Sequence, residues 1–280
     1  MRILAALVLL AAALNAAAAV TCTVNVTAIS VVYDPTSGVQ NVTTGSYSIN
    51  CTRAGTDPNT FAWQLGLNDG LNFNGTSNRA MRNPSQGYAY DTYRTSPYNA
   101  GNLWGDTVGT RFTGTLNFGA SLSASTSGPF DIMMPAGQAT GGPASTYTDT
   151  VTATLRDGSG TAIGTTSFGV AVVTTNSCQL SVAPTDVSFT YTSFQAGTSS
   201  ATGSFGIRCT TALPYTMALD ATSGTVLGLT YTLALSAASG TGNGATQTYN
   251  VNGSMAANQI GTCATGVCNG SQTRTLTLTW

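Results

Sequence analysis

Short runs in which apolar and polar residues alternate recur along most of the 280-residue chain, with turns rich in Gly, Asn, Ser and Thr between them. Clear examples are residues 61–67, 165–174 and 273–280. A period of two residues predicts half-buried β-strands, because successive side chains of a strand point to opposite faces of its sheet. The apolar faces of the last two runs consist of Phe168, Val170 and Val172, and of Leu276, Leu278 and Trp280.

The composition supports an all-β chain and limits the chemistry available to it. Nine basic and ten acidic residues leave a formal net charge of −1, and the sequence contains no His, Lys or Glu. Lys and Glu are strong helix formers, whereas the abundant Thr, Val and Tyr favour strands. Because His, Lys and Glu also perform most general acid–base catalysis, the composition argues against an enzyme. The near-neutral charge predicts no binding of nucleic acid.

The N-terminus has the pattern of a secretory signal peptide. Arg2 precedes the apolar residues 3–14, and residues 16–19 are all alanine. We therefore expect residues 1–19 to be a signal peptide and the mature chain to be secreted. An apolar core of about a dozen residues is shorter than the roughly 20 needed to cross a bilayer.

The two halves of the mature chain repeat one another. Each half contains a valine nine residues after a first cysteine, an aromatic residue eleven after it, and a glycine six before a second cysteine. Later, residues 134–138 are echoed by residues 255–259, and residues 150–155 by residues 275–280. On this count the matching residues are Val31 and Val187, Tyr33 and Phe189, and Gly45 and Gly203.

The repeat predicts two β-sandwich modules, a size that suits domains of about 100–150 residues. Module one is residues 20–175, and module two is residues 176–280. Six cysteines allow fifteen disulfide pairings, of which the repeat favours one set. A metal or redox site at the last, closely spaced pair is the alternative, which the lack of histidine and an oxidising compartment argue against. The favoured pairs are Cys22 with Cys51, Cys178 with Cys209, and Cys263 with Cys268.

The modules are expected to end differently. In module one, residues 150–155 are followed by a turn at residues 156–160 and by the alternating run 165–174, which can complete the sandwich as an antiparallel strand. In module two, residues 275–280 have no such successor. We therefore expect the apolar face of residues 273–280 to pack beside a strand donated by another chain. Only about two residues precede Cys22 after the leader, so the chain is expected to accept a strand without donating one.

Several motifs resemble the spore coat U-type pilin domain of archaic chaperone-usher pili. Two such domains without a donor extension are similar to the tip adhesin of Csu-type pili. Module two departs from the pattern, because it lacks a Trp-Gly-Asp element and has Gln272-Thr-Arg274 where Tyr147-Thr-Asp149 is expected. The motifs are residues 187–189, 203–209 and 214–219 in module two, and Arg79-Ala-Met81, Tyr88-Ala-Tyr90, Trp104-Gly-Asp106, Pro135-Ala-Gly-Gln138 and Tyr147-Thr-Asp149 in module one.

The resemblance implies two immunoglobulin-like β-sandwich domains, an N-terminal adhesin domain and a C-terminal pilin domain that lacks its last strand. It also implies a periplasmic pilus chaperone, an outer-membrane usher and an adjacent pilin subunit that donates a strand. No cofactor is expected. The mature protein would pass through the periplasm to the pilus tip on the cell surface, where it would attach to abiotic or host surfaces during biofilm formation.

Candidate surface contacts lie in the loops of module one. The turn at residues 156–164 should share the far pole with residues 52–60, which brings Pro58, Ala162 and Ile163 together. The alternative for Ile163 is packing against the sandwich edge. Tyr98 and Leu103, in a polar loop, are further candidates, since Tyr is a common binding anchor.

Two other functions are alternatives to a tip adhesin. A structural spore coat U-like or shaft subunit of a secreted fibre would need a donor extension, which the predicted mature N-terminus lacks. A secreted hydrolase would need paired carboxylates, as in glycosidases, and no motif brings two aspartates together.

Overall fold

In the computed structural model the described residues are 20–73, 75, 78–83, 86–264 and 266–280. The predicted signal peptide, residues 1–19, lies outside them. The described ranges form eighteen strands and one short 3-10 helix, Ala100–Asn102, so the fold is all-β as predicted. No helix in these ranges is long and apolar enough to cross a membrane.

Module one consists of strands that pack on one hydrophobic core. The sheet runs β1-β3-β8-β6, and continues through β5 to β9, β10 and β2, with β4 between β7 and β9. The strands are β1 (Thr21–Val26), β2 (Ile29–Tyr33), β3 (Asn41–Thr52), β4 (Thr60–Leu67), β5 (Asn78–Asn83), β6 (Gln86–Tyr93), β7 (Phe112–Asn117), β8 (Ser123–Met134), β9 (Thr146–Asp157) and β10 (Ala162–Thr174).

Strand β10 closes module one, as the alternation of residues 165–174 predicts. It lies antiparallel to β9 and parallel to β2, so both of its edges are paired. Phe168, Val170 and Val172 are buried in the core. The preceding turn is set by Asp157, whose Oδ1 accepts hydrogen bonds from the backbone nitrogens of Ser159 and Thr161, both at 2.9 Å.

Module two repeats this plan with fewer strands and its own core. One sheet has the order β11-β12-β17-β15-β14 and the other the order β16-β13-β18. The strands are β11 (Cys178–Val182), β12 (Ser199–Cys209), β13 (Pro214–Leu219), β14 (Ser223–Val226), β15 (Leu229–Leu235), β16 (Ser239–Thr241), β17 (Gln247–Met255) and β18 (Leu276–Thr279).

A pair of glutamines occupies the same place in both modules. The Gln138 side chain accepts from Ala89 N at 2.6 Å and donates to Ala89 O at 2.9 Å. Gln259 makes the same two bonds with Thr230, at 2.6 and 2.9 Å. The structure therefore preserves the predicted match between residues 134–138 and 255–259.

The predicted match of Val31 with Val187 and of Tyr33 with Phe189 is wrong by two residues. The Tyr33 hydroxyl donates to Pro135 O at 2.6 Å, and the corresponding bond of module two runs from Tyr191 to Ala256 O at 2.8 Å. The structural counterpart of Tyr33 is therefore Tyr191. An irregularity in β11 between Leu180 and Val182 accounts for one of the two residues, because it shifts the register of β11 against β12 by one residue.

The three disulfides of the structure join the pairs that the repeat favours. Two of them link the first strand of a module to its neighbour, between β1 and β3 and between β11 and β12. The third closes a short loop before β18. The pairs are Cys22–Cys51, Cys178–Cys209 and Cys263–Cys268.

The modules contact one another through loops of module one and strand ends of module two. The Thr36 carbonyl accepts hydrogen bonds from Gln179 Nε2 at 2.8 Å and from Arg208 Nη2 at 2.9 Å. On the neighbouring loop, Ala139 O accepts from Thr211 Oγ1 at 3.1 Å. The loops that follow β2 and β8 are thus the part of module one that faces module two.

Candidate strand-acceptor site and distal loops

Strand β18 has a partner on only one of its sides among the described strands. It pairs with β13, with Leu278 opposite Met217 and Leu276 opposite Leu219. Leu276 and Leu278 are half-buried and pack on the core of module two. The outer edge of β18 therefore carries backbone groups and apolar surface that an additional strand could cover.

The sequence predicts that Trp280 continues the apolar face of this strand, beside which a donated strand would pack. Strand β18 ends at Thr279, and Trp280 is exposed. The β4–β9 and β13–β18 pairs end in the same bond, from Asn68 N to Thr152 O and from Asp220 N to Thr275 O, so Leu278 is the counterpart of Leu155, which is completely buried opposite Gly164 of β10. Leu278 stays half-buried because no described strand of module two covers it as β10 covers Leu155.

The other side of the candidate site is the segment between β11 and β12. No strand is formed at residues 183–198, whereas the counterpart β2 pairs with β10 along its length. Val187, Phe189 and Tyr191 are only partly buried there. We call these three residues, together with Leu276 and Leu278, the acceptor site.

Strand β11 shows the same exposure beside the acceptor site. In module one, β1 packs along β10, and Val24 is partly buried on the core. Its counterpart Leu180, which pairs with Ile207 as Val24 pairs with Ile49, is exposed. The counterparts of β9, β2 and β1, three strands that β10 contacts in module one, therefore carry uncovered apolar residues in module two.

A buried carboxylate beside β10 in module one has no counterpart in module two. The Tyr90 hydroxyl donates to Asp149 Oδ2 at 2.7 Å, while Asp149 Oδ1 accepts from the backbone nitrogens of Leu71 at 3.0 Å and Thr150 at 2.8 Å. Burial, and then the Asp149 charge, raise the pKa of Tyr90 well above its ordinary value. The carboxylate ties the loop after β4 to β9.

Gln272 takes the place of the carboxylate in module two, and Arg274 binds the same tyrosine. Tyr231 corresponds to Tyr90, because Gln138 binds Ala89, the residue before Tyr90, and Gln259 binds Thr230, the residue before Tyr231. Arg274 Nε donates to the Tyr231 hydroxyl at 3.0 Å, and that hydroxyl donates to Gln272 Oε1 at 2.6 Å. The tyrosine of module two therefore still donates a hydrogen bond, to a neutral amide oxygen in place of a carboxylate, and accepts a second bond from arginine.

The far pole of module one is built from three loops, two of which are connected by one arginine. Arg53 donates to Asp57 O at 2.7 Å, to Gly119 O at 3.1 Å and to Ser121 O at 3.2 Å. Its guanidinium also lies 5.5 Å from the centre of the Phe118 ring. This contact holds residues 53–59 against residues 118–122, beside the turn that connects β9 and β10.

An ion-pair cluster fixes that turn. Asp106 binds Arg111 Nε at 3.0 Å and Arg156 Nη2 at 2.7 Å, and Arg156 also donates to Gly160 O at 3.2 Å. Although burial acts to raise the pKa of Asp106, its contacts with Arg156 and Arg111 leave that pKa below its ordinary value. The cluster gives the far pole a defined shape.

The predicted contact residues at this pole divide into two groups. Pro58 and Ala162 are exposed, while Ile163 packs on the core, which favours the alternative of packing at the sandwich edge. Leu122 was not predicted, and it is 55% exposed in the loop before β8. Its sequence signal is an isolated leucine in a run of small polar residues between two strands.

Tyr98 and Leu103 lie elsewhere. Tyr98 packs edge-on against Tyr93, with ring centres 5.3 Å apart, and donates to Asp131 Oδ2 at 3.3 Å. Leu103 forms a bridge with Tyr93. Because Asp131 lies eight residues along β8 from Ser123, roughly 26 Å at about 3.3 Å per residue, these half-buried side chains do not share the far pole.

These features define a class of all-β proteins built from two related modules, one closed by its own last strand and one with an open strand edge. The chain belongs to the spore coat protein U family, whose domain model matches residues 7–154 and 164–229, more than half of the sequence. No protein with a curated function matches the chain.

Solved structures with a similar fold include fimbrial subunits at low sequence identity. The CupB6 tip adhesin from Pseudomonas aeruginosa is 12% identical, with a TM-score of 0.39, over 93% of this chain and 94% of that chain. The CooA pilin subunit from enterotoxigenic Escherichia coli is 16% identical, with a TM-score of 0.35, over 55% of this chain and 97% of that chain. A third, from a chaperone–tip adhesin complex of CFA/I fimbriae, is 10% identical, with a TM-score of 0.31, over 90% and 95%.

Proposed function

We propose that the protein is the tip adhesin subunit of an archaic chaperone-usher pilus, and that its module two is completed by a strand from another chain. The observation that carries the proposal is that the last strand edge is covered in module one and uncovered in module two. Strand β9 of module one is covered by β10, while its counterpart β18 has an open side.

The energy at issue is large compared with the stability of a domain. Burial of a large apolar side chain contributes about 1.5–3 kcal/mol, so Phe168, Val170 and Val172 contribute on the order of 5–9 kcal/mol to module one. Typical domains are stable by about 5–15 kcal/mol. Module two is therefore expected to be marginal until the acceptor site is filled, first by a periplasmic chaperone and then by the adjacent pilin subunit.

The closed state of module one supports a position at the tip. Because β10 already fills its strand position, module one needs no donated strand and leaves its far pole free to contact a surface. The alternative is a shaft subunit of a secreted fibre. Such a subunit would both accept a strand from one neighbour and donate a strand to the other. The proposed function is adhesion and not catalysis, with export through the periplasm and an outer-membrane usher.

The far pole is the proposed contact with abiotic or host surfaces. Leu122, Pro58 and Ala162 are exposed apolar residues on loops that Arg53 and the Asp106 cluster hold in place. We expect Leu122→Ser to weaken adhesion of piliated cells to polystyrene without a change in pilus number. Val108→Ser is the matched control, because Val108 is also exposed but lies on a different loop. Equal adhesion of the two variants would contradict this choice of surface.

The strand-acceptor proposal is tested with the full mature chain and a variant closed in cis. In the variant, residues 156–174 replace Thr279 and Trp280 and so follow Leu278 directly, which gives module two the turn and strand that follow Leu155 in module one. We expect trypsin to cut module two of the unmodified chain after Arg208 or Arg274, and the appended strand or the cognate chaperone to prevent those cuts. Equal resistance of all three samples would show that module two is already closed.

A further inference from the structure

Apolar side chains are exposed at the end of module two that lies away from module one. Phe194 is 64% exposed and Ile260 is 66% exposed, on two loops that lie side by side. Leu227 and Val267 extend the same end of the module, and residues 192–198 and 256–264 contain no charged residue. We call Phe194, Leu227, Ile260 and Val267 the base surface.

The base surface is held in one conformation by backbone hydrogen bonds between its loops. Phe194 N donates to Gln259 O at 2.9 Å, Asn258 N donates to Gln195 O at 2.8 Å, and Thr262 N donates to Leu227 O at 2.7 Å. Phe194 and Leu227 also adopt positive φ angles, +62° and +52°, which L-residues with bulky side chains rarely do. The surrounding structure must impose this backbone conformation on Phe194 and Leu227. Such imposed conformations are often found at functional sites.

The repeat assigns each of these loops a counterpart in module one. The bond from Asn258 N to Gln195 O corresponds to the one from Gly137 N to Ser37 O at 3.1 Å. Phe194 and Ile260 precede and follow these bonds as Thr36 and Ala139 do in module one. The base surface is therefore the module-two copy of the loops through which module one contacts module two.

In module one the corresponding positions are buried by the module that follows. Thr36 is 1% exposed and Ala139 is 2% exposed. Thr36 Oγ1 lies 2.8 Å from Ser177 Oγ, and the Thr36 carbonyl accepts from Arg208. The same structural positions are thus covered at one junction and uncovered at the other.

The direction of a donated strand would place the body of the donating subunit next to the base surface. Strand β10 runs antiparallel to β9 and leads, after residues 175–177, into the first strand of module two. A strand that entered the acceptor site in the same sense would run antiparallel to β18. Its C-terminal end would leave beside the start of β18, next to the base surface.

We infer that the base surface binds the folded body of the subunit that donates the strand, in a junction that copies the one between modules one and two. The occupant is another module of this fold, joined to the donated strand by a linker of about three residues. Its contacting face is apolar, because Phe194 and Ile260 present large apolar side chains where module one has Thr36 and Ala139. This inference rests on the proposed strand-acceptor function.

The test measures the accessibility of residue 260 in two states of the full mature chain. An Ile260→Cys variant is labelled with a maleimide dye, first as a monomer whose acceptor site is filled by a synthetic peptide with the sequence of residues 162–174, and then in pili isolated from cells. Val108→Cys is the control, because Val108 is 89% exposed and lies on module one. The native cysteines are paired and do not react.

We expect Ile260→Cys to be labelled in the peptide-filled monomer and at least tenfold more slowly in pili, while Val108→Cys is labelled equally in both. Equal labelling of Ile260→Cys in the two states would overturn the base-surface inference and leave the strand-acceptor proposal intact. Failure of the peptide to bind, together with absence of the chain from pili, would overturn the strand-acceptor proposal and the inference with it.

Discussion

The two modules share a core plan and differ in what happens at one edge. In both, a disulfide joins the first strand to its antiparallel neighbour, and a glutamine side chain binds the backbone of the neighbouring strand. A tyrosine hydroxyl in each module also donates to a backbone oxygen three residues before that glutamine. Module one adds β10, which buries three large side chains and both neighbouring edges. The comparison shows that module two keeps its disulfide and local hydrogen bonds although its described strands include no counterpart of β10.

The largest expected difference between the modules comes from truncating an apolar side chain at the edge where they differ. We expect Phe168→Ala to destabilise module one by about 3–5 kcal/mol, because a completely enclosed aromatic side chain is lost. Leu276→Ala, on the strand of module two that corresponds to β9, should cost about 1–2 kcal/mol, since Leu276 is only half-buried.

Urea unfolding measures both values in a Trp280→Phe background, in which Trp63 and Trp104 report on module one alone, and proteolysis after Arg274 reports on module two. The appended strand described above supplies the control, because the cost of Leu276→Ala should then rise towards that of Phe168→Ala. A cost of Leu276→Ala that does not depend on the appended strand would contradict an open acceptor site.

The second effect concerns the polar group that differs between the modules. Asp149→Asn should destabilise module one by about 2–3 kcal/mol, because a buried carboxylate loses charge-assisted hydrogen bonds to Tyr90 and two backbone amides. Arg274→Gln should cost no more than about 1 kcal/mol, since the arginine is partly exposed to solvent. Thermal unfolding of the two variants gives the comparison, and a larger effect at Arg274 would show that the modules depend on this position in the opposite order.

Much of this architecture could be predicted from the sequence, because β-strand alternation is a local signal. Strand β10, its antiparallel pairing with β9 and the disulfide pairs follow from alternation, a turn and an internal repeat. The alignment of Tyr33 with Phe189 failed because module two has two additional residues in this segment, one of them at a backbone irregularity in β11.

The candidate site was predictable only in part, because exposure is set by three-dimensional neighbours. Ile163 and Ala162 are adjacent in sequence, but only Ile163 packs on the core. The spacing of Trp280 continues the apolar face of β18, and yet the residue is exposed because nothing in the described structure covers it. Leu122 is an isolated leucine whose exposure depends on where β7 and β8 turn.

The smallest predicted effect is a pH dependence of the stability of module one that arises from one buried aspartate. Burial raises the pKa of Asp91 on β6 above its ordinary value. The folded state therefore binds this proton more tightly than the unfolded state does, so the stability of module one falls as the pH rises from the unfolded pKa through the folded pKa. Asp91→Asn removes that loss and should raise the melting temperature of module one slightly at pH 7, with no difference below about pH 3. Asp220→Asn, at an exposed position of module two, is the matched control, and a stabilisation by Asp91→Asn that persists at pH 3 would rule out the ionised carboxylate as its cause.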